Sequence, residues 1–447
     1  MRTNYMDIDL DNNKNLMNNN KKGSPWAWVP SLYFAEAIPN AVIIGMLPIL
    51  YENMGLSNTE LAFYTSWLSL PWAIKPLWSP LVDSLKTKRW WILVMQFLVG
   101  LSLASVALTL QTDMWLKLTL AFFWLMAFTS ATHDIAADGF YILGLSEKDQ
   151  DFFVGWRSTF YKVGNIFCQS VLISLVGVLD KYYPTTVSWT ITFGLLGALM
   201  IALMAWHKAI LPMEKVKTLP SMEQLQEVGA QVSKTLTEKL RLVFDSFGET
   251  LRVFFSKKGV VPALFFMLLF RFPEAQLGII SKPFMLDSME NGGLAMSKTV
   301  IGMTSGIGLF SLLLGGIVAS WLISKYGIRK CWWSMIAAIS LPDAVYIYMA
   351  MAQPTNFLVI NSCVALEQFG YGLGFTAYTL FLVHFSKGER STSVFSICTG
   401  LQALGMILPG MIAGYLADSW GYATFFWWVM LCCLVTVVVS ALVRPKE

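Results

Sequence analysis

Stretches of about twenty apolar residues recur along the whole 447-residue chain and are separated by short polar breaks. A helix of this length matches the thickness of the hydrocarbon core of a bilayer. Hydrophobic residues make up 55% of the chain and charged residues only 13%, which is too apolar for an ordinary soluble domain. The recurring stretches therefore predict an all-α membrane protein.

Twelve such stretches are predicted to span the membrane, and short-loop charge predicts their orientation. Their approximate centres are residues 38, 70, 100, 128, 166, 198, 270, 310, 341, 371, 404 and 432. One set of loops carries basic runs at 86–89, 324–330 and 386–390, whereas the opposite loops carry only Lys117, Lys181 and Lys298. Cytoplasmic loops are enriched in Lys and Arg, so an even number of helices predicts that both termini are cytoplasmic.

The longest polar break divides the predicted helices into two groups of six. The predicted parts are a disordered cytoplasmic tail, a first six-helix bundle, a cytoplasmic linker with an amphipathic helix and a second six-helix bundle, at 1–24, 25–210, 211–256 and 257–447. A basic turn followed by paired tryptophans occurs at 79–91 and again at 319–333. Two related six-helix halves with a site between them at the midplane describe the major facilitator fold.

The most informative polar stretch is ATHDIAADGFY at 131–141, inside an apolar run that begins near Trp115. Asp134 and Asp138 are four residues apart, so a helix places them on one face. Ionised carboxylates are costly to bury and must pair, change protonation or line a wet cavity. The face is predicted to line a transport pathway; the alternative is a structural polar pair that joins two helices.

Further ionisable and aromatic residues at membrane depth complete the predicted site. The candidates for proton coupling or gating are Asp134, Asp138, Glu36 and Glu274. The candidates for substrate binding are Lys75, Lys162, Arg271, Glu367, His133, Trp72 and Tyr141. The acids outnumber the cations, and an unpaired buried carboxylate can take up a proton, which suits proton-coupled uptake. A sodium site would also use carboxylates, so the sequence leaves the coupling ion open.

Several of these residues also have a structural interpretation. Arg271 and Glu274 are three apart and could form a salt bridge within one helix. Lys75 could meet an anionic substrate group or neutralise a neighbouring aspartate. His133 could relay protons or be a neutral ring held by a backbone carbonyl. Aromatic rings stack on sugars but are equally common in interfacial belts and cores.

Sequence motifs of catalysis and cofactor binding are missing. The six cysteines lie in apolar segments without metal-ligand spacing, and neither a phosphate-binding loop nor a nucleophile elbow occurs. The sequence predicts a protein that is not an enzyme, needs no cofactor or metal, binds no nucleic acid and functions as a monomer.

Several blocks of the chain resemble the AmpG-type muropeptide permeases of the major facilitator superfamily, which are related to acetyl-CoA transporters. These blocks are LPWAIKPLWSPLVD at 70–83, ATHDIAADG at 131–139, YKVG at 161–164, RFPEAQLGIISKPFMLD at 271–287, and the 414–428 run together with Glu367.

The resemblance implies a multi-pass importer in the bacterial inner membrane. Its expected ligands are a GlcNAc-containing cell-wall disaccharide or a muropeptide, moved by alternating access and driven by protons. Ligand carboxylates would give Lys75, Lys162 and Arg271 a role. The alternatives are a carrier of another glycan disaccharide or of an anionic metabolite such as acetyl-CoA, and a membrane sensor that binds such ligands without moving them.

Overall fold

The computed structural model describes residues 24–79, 82, 86–213, 248–388 and 391–443, and these residues form helices and loops without a strand. The first helices are α1 (Pro25–Ala41), the π-helix π1 (Val42–Met46), α2 (Leu47–Asn53), α3 (Asn58–Leu68), α4 (Leu70–Ile74), α5 (Lys88–Thr109), α6 (Trp115–Gly144), α7 (Glu147–Ile166), the π-helix π2 (Phe167–Leu172), α8 (Ile173–Leu179) and α9 (Thr185–Ile210). Residues 1–23 of the predicted tail at 1–24 and residues 214–247 of the predicted linker at 211–256 lie outside the described residues.

The remaining helices follow the predicted linker. They are α10 (Val260–Leu269), α11 (Phe272–Leu286), α12 (Lys298–Tyr326), α13 (Ile328–Ser340), α14 (Ala344–Ala352), α15 (Phe357–Ser386) and α16 (Ser391–Leu442). Single-turn 3-10 helices occur at Lys75–Leu77 and Leu341–Asp343. Gly421 has a φ of +74° inside α16, so this long element is two helices joined at a break.

Polar residues next to the apolar runs set where several helices begin. Ser57 and Glu60 form a reciprocal capping box at the start of α3. The side chains of Thr87, Ser297 and Asn356 accept backbone N–H groups at the starts of α5, α12 and α15. Each cap provides a partner for an N–H group that the helix itself cannot satisfy.

Nine helices among the described residues are long and apolar enough to cross a membrane. They are Pro25–Asn53, Lys88–Thr109, Trp115–Gly144, Trp156–Leu179, Thr185–Ile210, Val260–Leu286, Lys298–Tyr326, Ile328–Ala352 and Ile397–Leu442. Eight predicted centres fall one to a span in the first eight, and the centres at 404 and 432 share the ninth. The centres at 70 and 371 fall in shorter or more polar helices, so the helical class is confirmed and the count of twelve stays a prediction.

The chain forms two compact units. The described residues of the first unit fall within Met1–Asn40, Lys75–Asn165 and Phe193–Glu249, and those of the second within Ala41–Ile74, Ile166–Thr192 and Thr250–Glu447. In the first unit, Trp28 and Phe140 lie in a buried core. In the second, Phe266, Trp332 and Tyr378 lie in another. The predicted bundle limits at 25–210 and 257–447 stay a prediction.

Helices α12 and α15 pack closely in the second unit because small residues face each other. A Cβ atom added at Gly315 would lie 2.2 Å from the Phe369 carbonyl oxygen, whereas one added at the adjacent Gly316 would lie 3.6 Å from Thr376 Oγ1. The first distance is shorter than any van der Waals contact and the second is ordinary. Backbone approach at Gly315 therefore requires glycine, as is common where membrane helices cross.

We expect Gly315→Ala to lower the free energy of unfolding by about 2 kcal/mol, because the added methyl forces the two backbones apart. Gly316→Ala serves as the matched control and should be neutral or slightly stabilising, since alanine favours a helix. The measurement is the thermal unfolding midpoint of both variants in the same detergent. Equal midpoints for the two variants would contradict the packing described here.

The start of α3 is held by α16 in the second unit. The Asp418 carboxylate accepts the backbone N–H groups of Asn58 (3.2 Å) and Thr59 (2.7 Å) and the Thr59 hydroxyl (2.6 Å). Asn58 also donates to the Tyr422 hydroxyl over 3.1 Å, and Tyr422 donates to Asp287 over 3.2 Å. We call these interactions the α3–α16 contact. A carboxylate at a helix N-terminus is favoured by the helix dipole.

Candidate functional site

Asp134 and Asp138 lie one turn apart on α6 of the first unit and have different partners. Lys75 Nζ lies 3.7 Å from Asp134 Oδ2, and the Arg157 guanidinium lies 2.8 Å from Asp138 Oδ1. Tyr33 on α1 also donates to Asp138 over 3.3 Å. The Asp134 side chain is 12% exposed and the Asp138 side chain 42%, so Asp134 is the carboxylate at which burial matters more.

Glu36 on α1 adds a third carboxylate to this site. Glu36, His133 and Asp134 each offer a ligand atom within 4.8 Å of the others, and all three are buried. Glu36 Oε2 has no hydrogen-bond partner in the described part of the chain. Three carboxylates therefore lie near two cations, Lys75 and Arg157. We call Glu36, Asp134 and Lys75 the first-unit cluster.

Arg157 is a site residue to which sequence reasoning gave no role. Its guanidinium lies 4.7 Å from the ring centre of Tyr33 and 5.2 Å from that of Tyr141, which is cation–π geometry. Tyr141, a candidate sugar-stacking ring, thus contacts a protein cation. In the sequence, Arg157 is marked only as a cation in or beside an apolar segment. It shares that property with Lys75, Lys162, Arg271 and Lys282.

Two predicted binding residues lie apart from these contacts. Lys162 is exposed on α7, and no polar contact of its side chain is found among the described residues. It is five residues from Arg157, which places the two cations on different faces of α7. Trp72 is half-buried on α4 and belongs to the second unit. Their substrate-binding role stays a prediction.

His133 is the last member of a buried hydrogen-bonded series. His133 Nε2 lies 3.1 Å from Gln96 Nε2, and Gln96 Oε1 lies 2.9 Å from His207 Nδ1. His207 Nε2 in turn lies 2.9 Å from Ser31 Oγ. With the amide assigned this way, His133 Nε2 accepts, which requires a neutral ring. A side-chain amide is the partner, where the sequence suggested a backbone carbonyl.

The second unit contains another buried carboxylate group, formed by Glu274 on α11, Asp343 in its 3-10 turn and Glu367 on α15. Their ligand atoms lie within 4.8 Å of one another and all three residues are buried. Gln368 donates to both Glu367 oxygens at 3.1 and 3.0 Å, and the Cys433 thiol lies 3.5 Å from Asp343 Oδ2. Three carboxylates this close together cannot all stay negatively charged unless protons or a bound cation offset their repulsion.

Arg271 does not pair with Glu274 in the described structure. Arg271 precedes α11, and its guanidinium donates to the Tyr371 hydroxyl. It also lies 4.9 Å from the ring centre of Phe375. The predicted salt bridge within one helix is therefore replaced by contacts with α15, because Arg271 lies outside the helix that contains Glu274.

The two acidic groups occupy related positions in the sequence. Tyr33 and Glu36 are three residues apart in the first unit, and Arg271 and Glu274 are three residues apart in the second. In the same way, Asp134 and Asp138 are four residues apart, and so are Glu367 and Tyr371. The Tyr33–Asp138 hydrogen bond thus has a counterpart in the Arg271–Tyr371 hydrogen bond. These correspondences support the internal repeat that the basic turns suggested.

Both acidic groups have donor sets that can hold a cation. The three carboxylates of Glu274, Asp343 and Glu367 are hard oxygen donors, which suit sodium or protons better than a transition metal. The Glu36–His133–Asp134 set mixes carboxylates with a neutral imidazole. Ionisable groups in the interior of membrane-spanning helices mark ion and substrate pathways.

The helical fold and the ionisable groups buried within its apolar spans define a multi-pass membrane transporter. The chain belongs to the BT1 family, whose model matches residues 40–341. The resemblance to AmpG-type permeases is thereby confirmed, and the chain is a transporter and not an enzyme.

One relative is similar in sequence to this chain, and two solved structures have a similar fold. The anhydromuropeptide permease of Escherichia coli is 22% identical over 403 residues, which cover 88% of this chain and 74% of the permease. The nucleoside transporter NupG has a similar fold, with a TM-score of 0.67 at 13% identity over 93% of this chain and 97% of NupG. A D-xylose-proton symporter gives a TM-score of 0.65 at 11% identity over 92% and 96%.

Proposed function

We propose that this transporter imports a GlcNAc-containing cell-wall disaccharide or muropeptide across a bacterial inner membrane and that protons drive the import. The relative named anhydromuropeptide permease supports the ligand class. The observation that carries the coupling is the buried first-unit cluster, in which Glu36 lies beside Asp134 and Lys75 faces Asp134. One negative charge there is not balanced by Lys75, and a proton can balance it.

The balance of charges in the two units supports more than one protonation event. In the first unit, Glu36, Asp134 and Asp138 lie near Lys75 and Arg157. The second unit has three buried carboxylates, and the cation that accompanies them is Arg271. Arg271 directly precedes α11 and donates to Tyr371 on α15. Carboxylates outnumber cations in both places. Taking up and releasing protons changes the relative energies of the access states, which is the basis of coupling.

We propose twelve spans, with both termini in the cytoplasm. Dividing α16 at Gly421 turns the ninth apolar helix into two spans. The 30-residue α15 is long enough for another, and α3 with α4 supplies the last. The orientation rests on the Lys- and Arg-rich loops at 86–89 and 324–330.

We propose that the transporter works by alternating access and as a monomer, and the α3–α16 contact supports the first of these two statements. It joins the start of α3 to residues 418 and 422 of α16, and a carrier that opens this face must break it. An ion pair between Lys298 and Asp180 and the close approach of Gly302 to Ser174 join α12 to α8 in the same unit. Conformational transitions of packed elements can break polar contacts at an interface and form new ones.

We expect purified protein in liposomes to accumulate radiolabelled GlcNAc-anhydro-N-acetylmuramic acid when the outside is acidic. Accumulation should collapse to the level of empty liposomes when an ionophore removes the proton gradient, because protonation is the only source of drive. The measurement is the internal-to-external ligand ratio over time.

Three control arms decide the alternatives. A sodium gradient at equal pH tests sodium coupling, and excess unlabelled acetyl-CoA tests a carrier of anionic metabolites. Binding without any uptake would identify a sensor. Uptake that is unchanged by removal of both gradients would contradict coupling, and absence of binding and uptake would contradict the ligand class.

A further inference from the structure

Lys282 on α11 joins two helices of the second unit at the points where both widen. Its Nζ donates to the Gly45 carbonyl over 3.0 Å and to Gln169 Oε1 over 2.7 Å. Gly45 lies in the π-helix π1 and Gln169 in the π-helix π2. Single-turn π-helices are rare in proteins, and those that occur often lie at functional sites. The lysine was visible in the sequence only as a cation at the rim of an apolar segment.

The hydrogen bonds of Lys282 to Gly45 and Gln169 require glycine at position 45. A Cβ atom added at Gly45 would lie 2.4 Å from Gln169 Cγ and 2.8 Å from Gln169 Oε1. A larger residue would therefore displace the amide that accepts from Lys282. The local backbone, the glycine and the glutamine together place two neutral oxygen acceptors around one ammonium group. Lys282 as a whole residue is half-buried.

Among the residues that the structure describes, Lys282 has no acidic partner of the kind that a cation inside a membrane protein usually has. No carboxylate oxygen of the described residues lies within 4.0 Å of its Nζ. An ammonium group has three N–H donors, and two of them bond to neutral acceptors here. In the described part of the chain no carboxylate balances a charge so placed, and an anion that reached it would form a stronger, charge-assisted hydrogen bond.

Three other cations of the described spans have partners of their own. Lys75 faces Asp134, and Arg157 faces Asp138. Arg271 donates to the Tyr371 hydroxyl and lies against aromatic rings. Lys75 and Arg157 therefore face carboxylates, whereas Lys282 and Arg271 have neutral partners, and of these two only Arg271 also lies against aromatic rings.

We propose that Lys282 is the residue that binds a carboxylate group of the transported ligand, and that it gives this protein a preference for acidic over neutral sugars. The inference rests on the proposed function and adds a specificity determinant to it. On binding, the carboxylate takes the place of one neutral acceptor, and Gln169 or Gly45 gives up its hydrogen bond. A purely structural Lys282 would instead hold α11 to π1 and π2 whatever the ligand.

The test compares two ligands that differ in one group: the GlcNAc-anhydro-muramic disaccharide as its free acid and as its carboxamide. Affinities are measured by isothermal titration with the full-length protein, for wild type, Lys282→Gln, Lys282→Arg and the control Lys325→Gln, an exposed lysine at the end of α12. We expect wild type to bind the acid at least about tenfold more tightly than the amide, which corresponds to one charge-assisted hydrogen bond.

Lys282→Gln should remove that preference by weakening acid binding alone, while Lys282→Arg and Lys325→Gln keep it. The amide affinity is the internal measure of folding, because a misfolded variant loses both ligands. Equal loss of acid and amide in Lys282→Gln, or an unchanged preference, would overturn the specificity role and leave the proposed function standing. Failure of wild type to bind either ligand would overturn both.

Discussion

Replacing Asp134 with asparagine is expected to abolish accumulation of the ligand against its gradient. The amide cannot take up or release a proton, so the first-unit cluster loses its titratable centre next to Glu36. Accumulation in liposomes should fall to the level of empty vesicles, whereas exchange of labelled for unlabelled ligand across equal concentrations should persist. Exchange needs the moving protein but no net proton flow, so the ratio of the two rates isolates coupling from folding.

The stability cost of this change should be modest. Lys75 loses its partner, but its side chain is 35% exposed and water can solvate part of the charge. We expect a loss of about 1–2 kcal/mol in the free energy of unfolding. The control Lys75→Gln/Asp134→Asn removes both charges and should recover this stability without recovering accumulation. Uphill accumulation by Asp134→Asn at the wild-type level would show that coupling resides elsewhere.

Replacing Asp418 with alanine is expected to open the face at which α3 meets α16. The substitution removes the acceptor of three hydrogen bonds from Asn58 and Thr59. These bonds are exposed, so their joint contribution is about 1–2 kcal/mol, which corresponds to a shift of about tenfold between access states. Ser66 is a suitable reporter, because it is buried on α3 and a Cβ atom added at Gly410 would lie 2.6 Å from its Oγ.

The measurement is the rate at which a membrane-impermeant thiol reagent labels Ser66→Cys, with the chain that lacks this cysteine as the blank. Asp418→Ala should raise the rate about tenfold. Asp113→Ala serves as the matched control, since Asp113 is an exposed loop acid without a hydrogen bond among the described residues. Equal labelling with and without Asp418 would mean that the α3–α16 contact does not limit opening of this face.

Sequence periodicity was enough to locate the apolar spans, because a run of apolar residues is a local property. Position 371 shows its limit. The helix Phe357–Ser386 is long, but Glu367, Gln368 and several glycines make it less apolar than its neighbours. The structure shows this helix nonetheless, because backbone hydrogen bonds form whether or not the side chains are apolar.

The sequence allowed individual site residues to be predicted better than the pairs that these residues form. The four-residue spacing of Asp134 and Asp138 follows from the helix, yet their partners come from residues 75 and 157, and no local pattern links these positions. Glu36 joins them from α1, and Asp343 joins Glu274 from a separate turn. Pairings of this kind are set by how helices pack, which a single sequence does not encode locally.

Lys282 illustrates the remaining gap most clearly. Its two acceptors depend on π-helical turns at 42–46 and 167–172, and neither segment carries a proline that would announce an irregular helix. Without those turns, the lysine is one more charge near the end of a span. Tertiary packing determines where a helix widens, so the partners of Lys282 become visible only in three dimensions.

The carboxylates of α6 also bear on how the chain is made. Trp115–Gly144 is among the least apolar of the nine candidate spans, and it contains both Asp134 and Asp138. A segment of this kind partitions poorly from the translocon into lipid on its own. Asp134 pairs with Lys75, on a segment synthesised before α6, and Asp138 pairs with Arg157, on a segment synthesised after it. We therefore expect the earlier segments to stay near the exit site of the translocon until α6 and α7 have emerged.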